Sequence, residues 1–303
     1  MQTVVFDGVK FATQLEQNLK TQVDSWKKAG GRVPKVVSLV FENDPASRLY
    51  SEYKIEAADR VGIELEPIWA NFGSEQVWIE ESIQTAANEQ TITGLMIQKP
   101  SRKVWQNWLL STGGDSTKVN ELYSQWWHNL VSRLNPDKDI DGLHPLTQQA
   151  IADGNWQAKK KFLPATAAAV LLILHEAQLK RSDRIIILGR SELLGRPLYY
   201  VLQQQGYSVE LIGTKEFIKL QEANVGLRQH DIVVAATGNP GVITEQMIKP
   251  GAVVIDVGEP KAEFAFGSPT QARFFTPVPG GVGPVTVISL LANALECVKI
   301  QAS

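Results

Sequence analysis

The sequence predicts an α/β fold in two domains, and three observations carry that expectation. The chain has 303 residues of which 44% are hydrophobic, enough to bury two cores. Short β-rich runs alternate with helical periodicity through both halves, the pattern of a parallel sheet covered by helices. In the second half one such run, RIIIL, passes directly into Gly189, as a strand does when it feeds a tight turn and a helix.

In the first half, residues 36–41 read as a strand. Asp44-Pro45 follows, an N-cap and first-turn proline pair that opens a helix to about Val61. Residues 64–70 form the next strand, 75–89 a helix, and 92–97 a third strand ending at Gln98, which makes a βαβαβ unit. Between Gln98 and Asp141, Trp105, Trp108, Trp126 and Trp127 flank the polar run 111–116, read as two short helices joined by an exposed turn. A long apolar helix over 165–177 leads to strands at 184–188, 208–212, 231–236 and 252–257, the order of a doubly wound nucleotide-binding domain. After the loop 276–283, Val285, Ile288, Leu291, Ala292, Leu295 and Val298 recur at helical spacing. We expect one domain over 1–147, onto which a terminal helix 283–303 packs back, and a second over 148–282, with the active-site cleft between them.

The 30 basic and 32 acidic residues leave a net charge of −2, spread along the chain, so a phosphate-backbone partner is not expected. The single cysteine, Cys297, forms no internal disulfide, and it and the histidines His128, His144, His175 and His230 lack zinc-ligand spacing, so no metal is expected. The N-terminus lacks a basic stretch followed by a long apolar run. The most apolar segment, residues 165–174, is too short to span a bilayer, so a soluble, cytoplasmic protein with no membrane partner is expected.

Four segments carry chemistry. IIILGRSELLGRP, residues 185–197, points backbone N–H groups and a helix N-terminus toward an anion, with Arg190 and Ser191 in the turn. It lacks G-x-G-x-x-G spacing, which leaves an ordinary strand-to-helix turn as the alternative. The next strand ends in Gly213-Thr214-Lys215, where an NAD enzyme would carry an acid for the ribose 2′-hydroxyl; with no carboxylate expected there, NADP is favoured. Tyr50 and Lys54, four apart, project from one face of their helix above the strand that Gln98 terminates, where ligands of open α/β sheets bind. A solvated lysine beside a half-buried tyrosine is the alternative. NPDKDIDGLHP, residues 135–145, sets Asp139 and Asp141 two apart in a turn-rich loop, too few carboxylates for a calcium loop but an acceptor for a ligand amine. TPVPGGVGPVT, residues 276–286, makes a stiff path that allows close backbone approach.

Together DPASRLYSEYK, GLMIQKP, KDIDGLHP, LGRSELLGRP, VVAATGNPG, VIDVG and TPVPGGVGPVT resemble, in order and over nearly the whole chain, the bifunctional methylenetetrahydrofolate dehydrogenase/cyclohydrolase (FolD-type) family. The resemblance implies a folate-binding catalytic domain followed by a Rossmann-like NADP domain. It implies oxidation of 5,10-methylenetetrahydrofolate to 5,10-methenyltetrahydrofolate with NADP, then hydrolysis to 10-formyltetrahydrofolate, by a homodimer serving one-carbon metabolism and the purine, methionine and histidine syntheses that draw on it. Carried over by position, Lys54 is the catalytic lysine, Tyr50 stacks near the reacting centre, Gln98 bonds and tunes Lys54, and Asp141 holds the pterin's amino edge. Gly189, Arg190, Ser191 and Thr214 would bind NADP, and Pro279, Gly280 and Gly281 would border folate and nicotinamide.

The chain departs from the family in several places. Pro164-Ala165-Thr166-Ala167 replaces proline-cysteine-threonine-proline, Lys99-Pro100-Ser101 replaces Pro-Leu-Pro after Gln98, and the path to Asp141 is longer by roughly a helical hairpin. Glu259 stands where isoleucine commonly lies beside the nicotinamide. The tryptophan-rich insertion is expected to be a packed lid or an interface. Two narrower functions stand as alternatives: a dehydrogenase with weak or lost cyclohydrolase activity, and a catalytically silent folate- or nucleotide-binding homologue.

Overall fold

The computed structural model describes residues 3–222, 226–265 and 271–303. In chain order the elements are β1 (Val4–Val5), α1 (Gly8–Lys28), β2 (Lys35–Phe41), α2 (Pro45–Val61), β3 (Glu64–Ala70), α3 (Gln76–Asn88), β4 (Gly94–Ile97), α4 (Arg102–Ser111), α5 (Val119–Val131), α6 (Pro145–Ala152), α7 (Ala165–Glu176), β5 (Arg184–Leu188), α8 (Gly195–Gln204), β6 (Ser208–Ile212), α9 (Thr214–Glu222), β7 (Ile232–Ala235), a 3₁₀ turn Glu245–Met247, β8 (Val253–Asp256), β9 (Phe274–Phe275) and α10 (Val282–Gln301). They divide into two compact units: residues 1–15, 150–156 and 163–289 form one, residues 16–149, 157–162 and 290–303 the other.

The unit containing most of the first half has a parallel sheet in the order β3-β2-β4. β2 pairs with both neighbours, and six of its seven residues are buried, as a central strand covered on both faces requires. α2 starts where Asp44 caps it, the carboxylate accepting from the Ala46 N–H, with proline in the first turn. It ends at Gly62, whose φ of 79° lets the chain turn out of the helix. The insertion forms two helices, α4 and α5, as expected. Trp105 and Trp127 are 3% and 5% exposed and belong to the core, and the half-buried Trp126 packs on it, 5.2 Å from Phe41 and 5.4 Å from Trp105, ring centre to ring centre. Each such ring withdraws on the order of 200 Å² from water.

The other unit holds a six-stranded parallel sheet, β1-β9-β8-β7-β5-β6. β5, β7 and β8 are almost entirely buried, which accounts for their unbroken apolar runs. Residues 165–174 lie in α7, whose 12 residues are too few to cross a bilayer; by length and composition α10 is the helix, among the described residues, that would suffice. Its residues Val285, Leu291, Ala294, Leu295 and Val298 are buried, the behaviour of a core helix.

Candidate active site

The first cluster is built at the carboxyl end of β4. Gln98 continues the ladder, its N–H donating to the Leu39 carbonyl of β2 at 2.9 Å, so its side chain has a fixed origin. Asp44, 2% exposed, binds α2 to this point: besides capping the helix it accepts from the Ser47 hydroxyl at 2.9 Å and from the Ser101 N–H at 2.7 Å, just past Gln98. Lys54, two and a half turns along α2, lies on the helix's buried face with Ser47, Ser51 and Ala58. Its Nζ donates to Gln98 Oε1 at 2.6 Å and the residue is 8% exposed. The alternative of a solvated lysine is thereby removed. Burial pushes the Lys54 amine below its ordinary range, and the charge of Asp141 acts in the opposite sense.

Asp141 reaches this cluster because its loop runs as a short extension of the sheet. The Leu95 N–H donates to the Lys138 carbonyl at 2.6 Å and the Ile140 N–H to the Leu95 carbonyl at 3.2 Å. Asp139 organises the loop from inside: it is 1% exposed and accepts from the Leu143 and His144 N–H groups and the Thr147 hydroxyl. Gly142, at φ 65°, makes the turn, and the Asn293 amide of α10 donates to the Ile140 carbonyl at 2.9 Å. Lys54, Gln98 and Asp141 thus come together, whereas Tyr50 sits one turn earlier on α2, half-buried, its ring 6.3 Å from that of Tyr53. The insertion is pinned to the same strand exit: the Tyr123 hydroxyl donates to the Pro100 carbonyl at 2.9 Å and Lys99 Nζ lies 5.1 Å over the Trp127 ring.

The second cluster lies in the other unit, at the carboxyl ends of β5, β6 and β8. Gly189 has φ 115°, and a Cβ there would collide with the Ala236 carbonyl; one on Gly195 would collide with the Gly189 carbonyl. The strand, turn and first turn of α8 are therefore pressed together in a way only glycine allows, leaving backbone groups open to an anion at the helix start, so the residues present fit a dinucleotide phosphate. Ser191 is half-buried beside this turn and Thr214 opens α9. Arg190 departs from expectation. Its Nη1 donates to Glu216 Oε1 at 2.8 Å, and Glu216 folds back over Gly213, so a carboxylate does stand at the end of β6. The first turn of α9 carries it there, four residues past the end of β6.

Glu259 follows β8 and is exposed over part of its surface, yet desolvation raises its carboxyl to about 7. Pro279 is exposed, Gly280 has φ 92°, and the carbonyls of Gly280 and Gly281 lie where a Cβ on Gly8 would fall. Two buried acids were missed from the sequence. Glu263, 1% exposed, accepts from the Thr237 N–H and hydroxyl and the Gly238 N–H, fixing the turn of the VVAATGNPG segment. Asp256, fully buried, accepts from the Gly258, Glu263 and Phe264 N–H groups. Desolvation raises both carboxyls, opposed by these hydrogen bonds. Asp256 lies within VIDVG and was findable; Glu263 lies in no motif.

Comparison with known proteins places a family domain on each half of the chain. Residues 6–111 match the tetrahydrofolate dehydrogenase/cyclohydrolase catalytic domain and residues 164–302 its NAD(P)-binding domain. The loop of Asp141 lies in the stretch between the two matches. The chain is 29% identical to the Bifunctional protein FolD of Staphylococcus epidermidis, with 98% of this chain and 97% of the relative covered. It is similar to the structure of the Trypanosoma brucei methylenetetrahydrofolate dehydrogenase-cyclohydrolase (FolD) complexed with NADP cofactor and inhibitor, at 26% identity and TM-score 0.82, covering 100% and 99% of the chains. The 5,10-methylenetetrahydrofolate dehydrogenase of the silkworm Bombyx mori superimposes with TM-score 0.81 at 26% identity, covering 99% of each. With both halves matched in order along nearly the whole length, the chain belongs to the tetrahydrofolate dehydrogenase/cyclohydrolase family.

Proposed function

We propose that the protein oxidises 5,10-methylenetetrahydrofolate with NADP and hydrolyses the resulting methenyl compound to 10-formyltetrahydrofolate, with Lys54 as the proton-transferring group. The observation that carries this reading is the buried hydrogen bond from Lys54 to Gln98 beside the charge of Asp141. NADP, when bound, would accept the hydride, and the turn of Gly189, Arg190 and Ser191 and the start of α9 at Thr214 would hold it. Glu259 follows β8 and Pro279, Gly280 and Gly281 follow β9 of the same sheet, from where they would border the reacting ring. Asp141 accepts from the pterin's amino edge and Tyr50 stacks on the folate. In the hydrolysis, the Lys54 amine, its affinity for a proton lowered by burial, takes a proton from the water that attacks the methenyl carbon and returns it to N5 as the C–N5 bond of the hydroxylated intermediate breaks; the hydroxyl proton leaves to solvent, the formyl group stays on N10, and Gln98 fixes the direction of the amine. The reducing cytoplasm suits the buried thiol of Cys297, which burial pushes up to about 12 and so keeps unreactive.

The test follows two absorbances, NADPH for the oxidation and methenyltetrahydrofolate decay for the hydrolysis. Lys54→Met keeps length and apolar bulk and should slow the hydrolysis by about 10²- to 10⁴-fold while folate binding persists. Undiminished hydrolysis in that variant would remove Lys54 from the mechanism.

The working state we propose is a homodimer. β3 is an edge strand with one unpaired side, and Leu49, Tyr53, Trp69 and Trp78 of the same unit are exposed. Sedimentation at micromolar concentration should give twice the mass of one chain; a single-chain mass would refute the dimer.

A further inference from the structure

We propose that Glu216 is a specificity-determining residue of the cofactor site: it competes with the 2′-phosphate of NADP for Arg190 and offers the ribose an acceptor, so that the protein also uses NAD. The inference rests on reading the Arg190 turn as the cofactor site. The guanidinium is already engaged on two sides, Nη1 donating to Glu216 Oε1 at 2.8 Å and Nη2 to the Leu211 carbonyl at 3.4 Å, so a phosphate must share it with the carboxylate. The carboxylate occupies the tip of β6 itself. A Cβ on Gly213 would lie 2.6 Å from Glu216 Oε2, so it is the missing side chain of Gly213 that admits the carboxylate to this place. The end of the second strand of such a sheet is where the adenosine ribose rests, and a carboxylate there accepts from its 2′- and 3′-hydroxyls.

A structural role explains the pair poorly. Arg190 and Glu216 are 46% and 48% exposed, and an ion pair so open to water adds little to stability. Glu216 is nonetheless held ionised: the backbone N–H groups at the start of α9, then Arg190, keep its carboxyl below the ordinary range. A dianionic 2′-phosphate arriving here must displace one anion from the guanidinium and remain beside it, whereas a 2′-hydroxyl meets only an acceptor. The exposed Lys215 is the neighbouring cation through which the phosphate regains part of that loss.

The test is calorimetric titration of the full chain and of Glu216→Gln with 2′,5′-ADP and with 5′-ADP, paired with steady-state oxidation using NADP and NAD. Glu216→Gln should tighten 2′,5′-ADP and lower the KM for NADP about tenfold, with 5′-ADP and NAD unchanged or weaker. In an Arg190→Gln background the same change should lose most of its effect on 2′,5′-ADP, because the two residues act as a pair. An unchanged ratio of 2′,5′-ADP to 5′-ADP affinity in Glu216→Gln would overturn the proposal. If instead the unaltered protein binds neither nucleotide and turns over with neither cofactor, the assignment of the Arg190 turn fails, and that outcome is distinct from the first.

Discussion

The Lys54 cluster and the Arg190 cluster each pair a cation with an acceptor at the tip of a parallel strand, yet they do so in opposite media. Lys54 and Asp141 are each 8% exposed, and burial lowers the lysine toward the range in which it exchanges protons. Arg190 and Glu216 are about half in water, and the Glu216 carboxyl is held below its ordinary range. Burial converts a charged residue into an acid-base group, whereas exposure leaves a pair that a ligand can rearrange at little cost. One cluster suits a chemical step and the other suits selection between two anions.

Several measurements can break or sharpen that contrast. The largest effect is expected of Lys54→Met, already described, because it removes the one buried amine of the cluster. Next is Asp139→Ala, which strands the Leu143 and His144 N–H groups and the Thr147 hydroxyl inside the protein. Chemical denaturation should show a loss of about 3 kcal/mol, and the folate KM should rise because Asp141 shares the loop; a loss no larger than that of a surface substitution would mean that Asp139 does not organise it. The smallest effect concerns Glu259. Its carboxyl moves from 4.5 to about 7 on folding, so the folded chain holds a proton there that the unfolded chain has released, and stability falls as pH rises through this window and is level above it. Solvent screening keeps the effect small. Relative to the unaltered protein, Glu259→Gln should gain melting temperature between pH 5 and pH 8, and parallel curves would show that this acid is not desolvated.

Much of the fold was legible because strand runs and helix caps are local signals in the sequence. The strands β3, β5 and β6 fall where apolar and β-branched runs predicted them, and α2 starts where Asp44-Pro45 said it would. β1 and β9, two residues each, carry no period, and the long α1 was not read at all although its pattern is amphipathic. The parallel pairing of β1 with β9 joins residues 270 positions apart in the chain, a register that no local signal encodes. In the Lys54 cluster the motifs supplied the members, but the tryptophan-rich insertion could be recognised only as apolar, and the anchoring of Tyr123 on the Pro100 carbonyl appears only in three dimensions.

The sequence by itself determined the residue types at the strand ends, the caps and glycine turns, and the membership in a folate-enzyme family, since each depends on local conformation or on ordered motifs. Tertiary structure alone decided which of two neighbouring aspartates is a buried brace and which is beside the lysine. It likewise decided that Lys54 is desolvated and that Glu216 reaches Arg190. A charge takes its chemistry from solvent access and from partners within a few ångströms, and both are set by segments that lie tens of residues away along the chain.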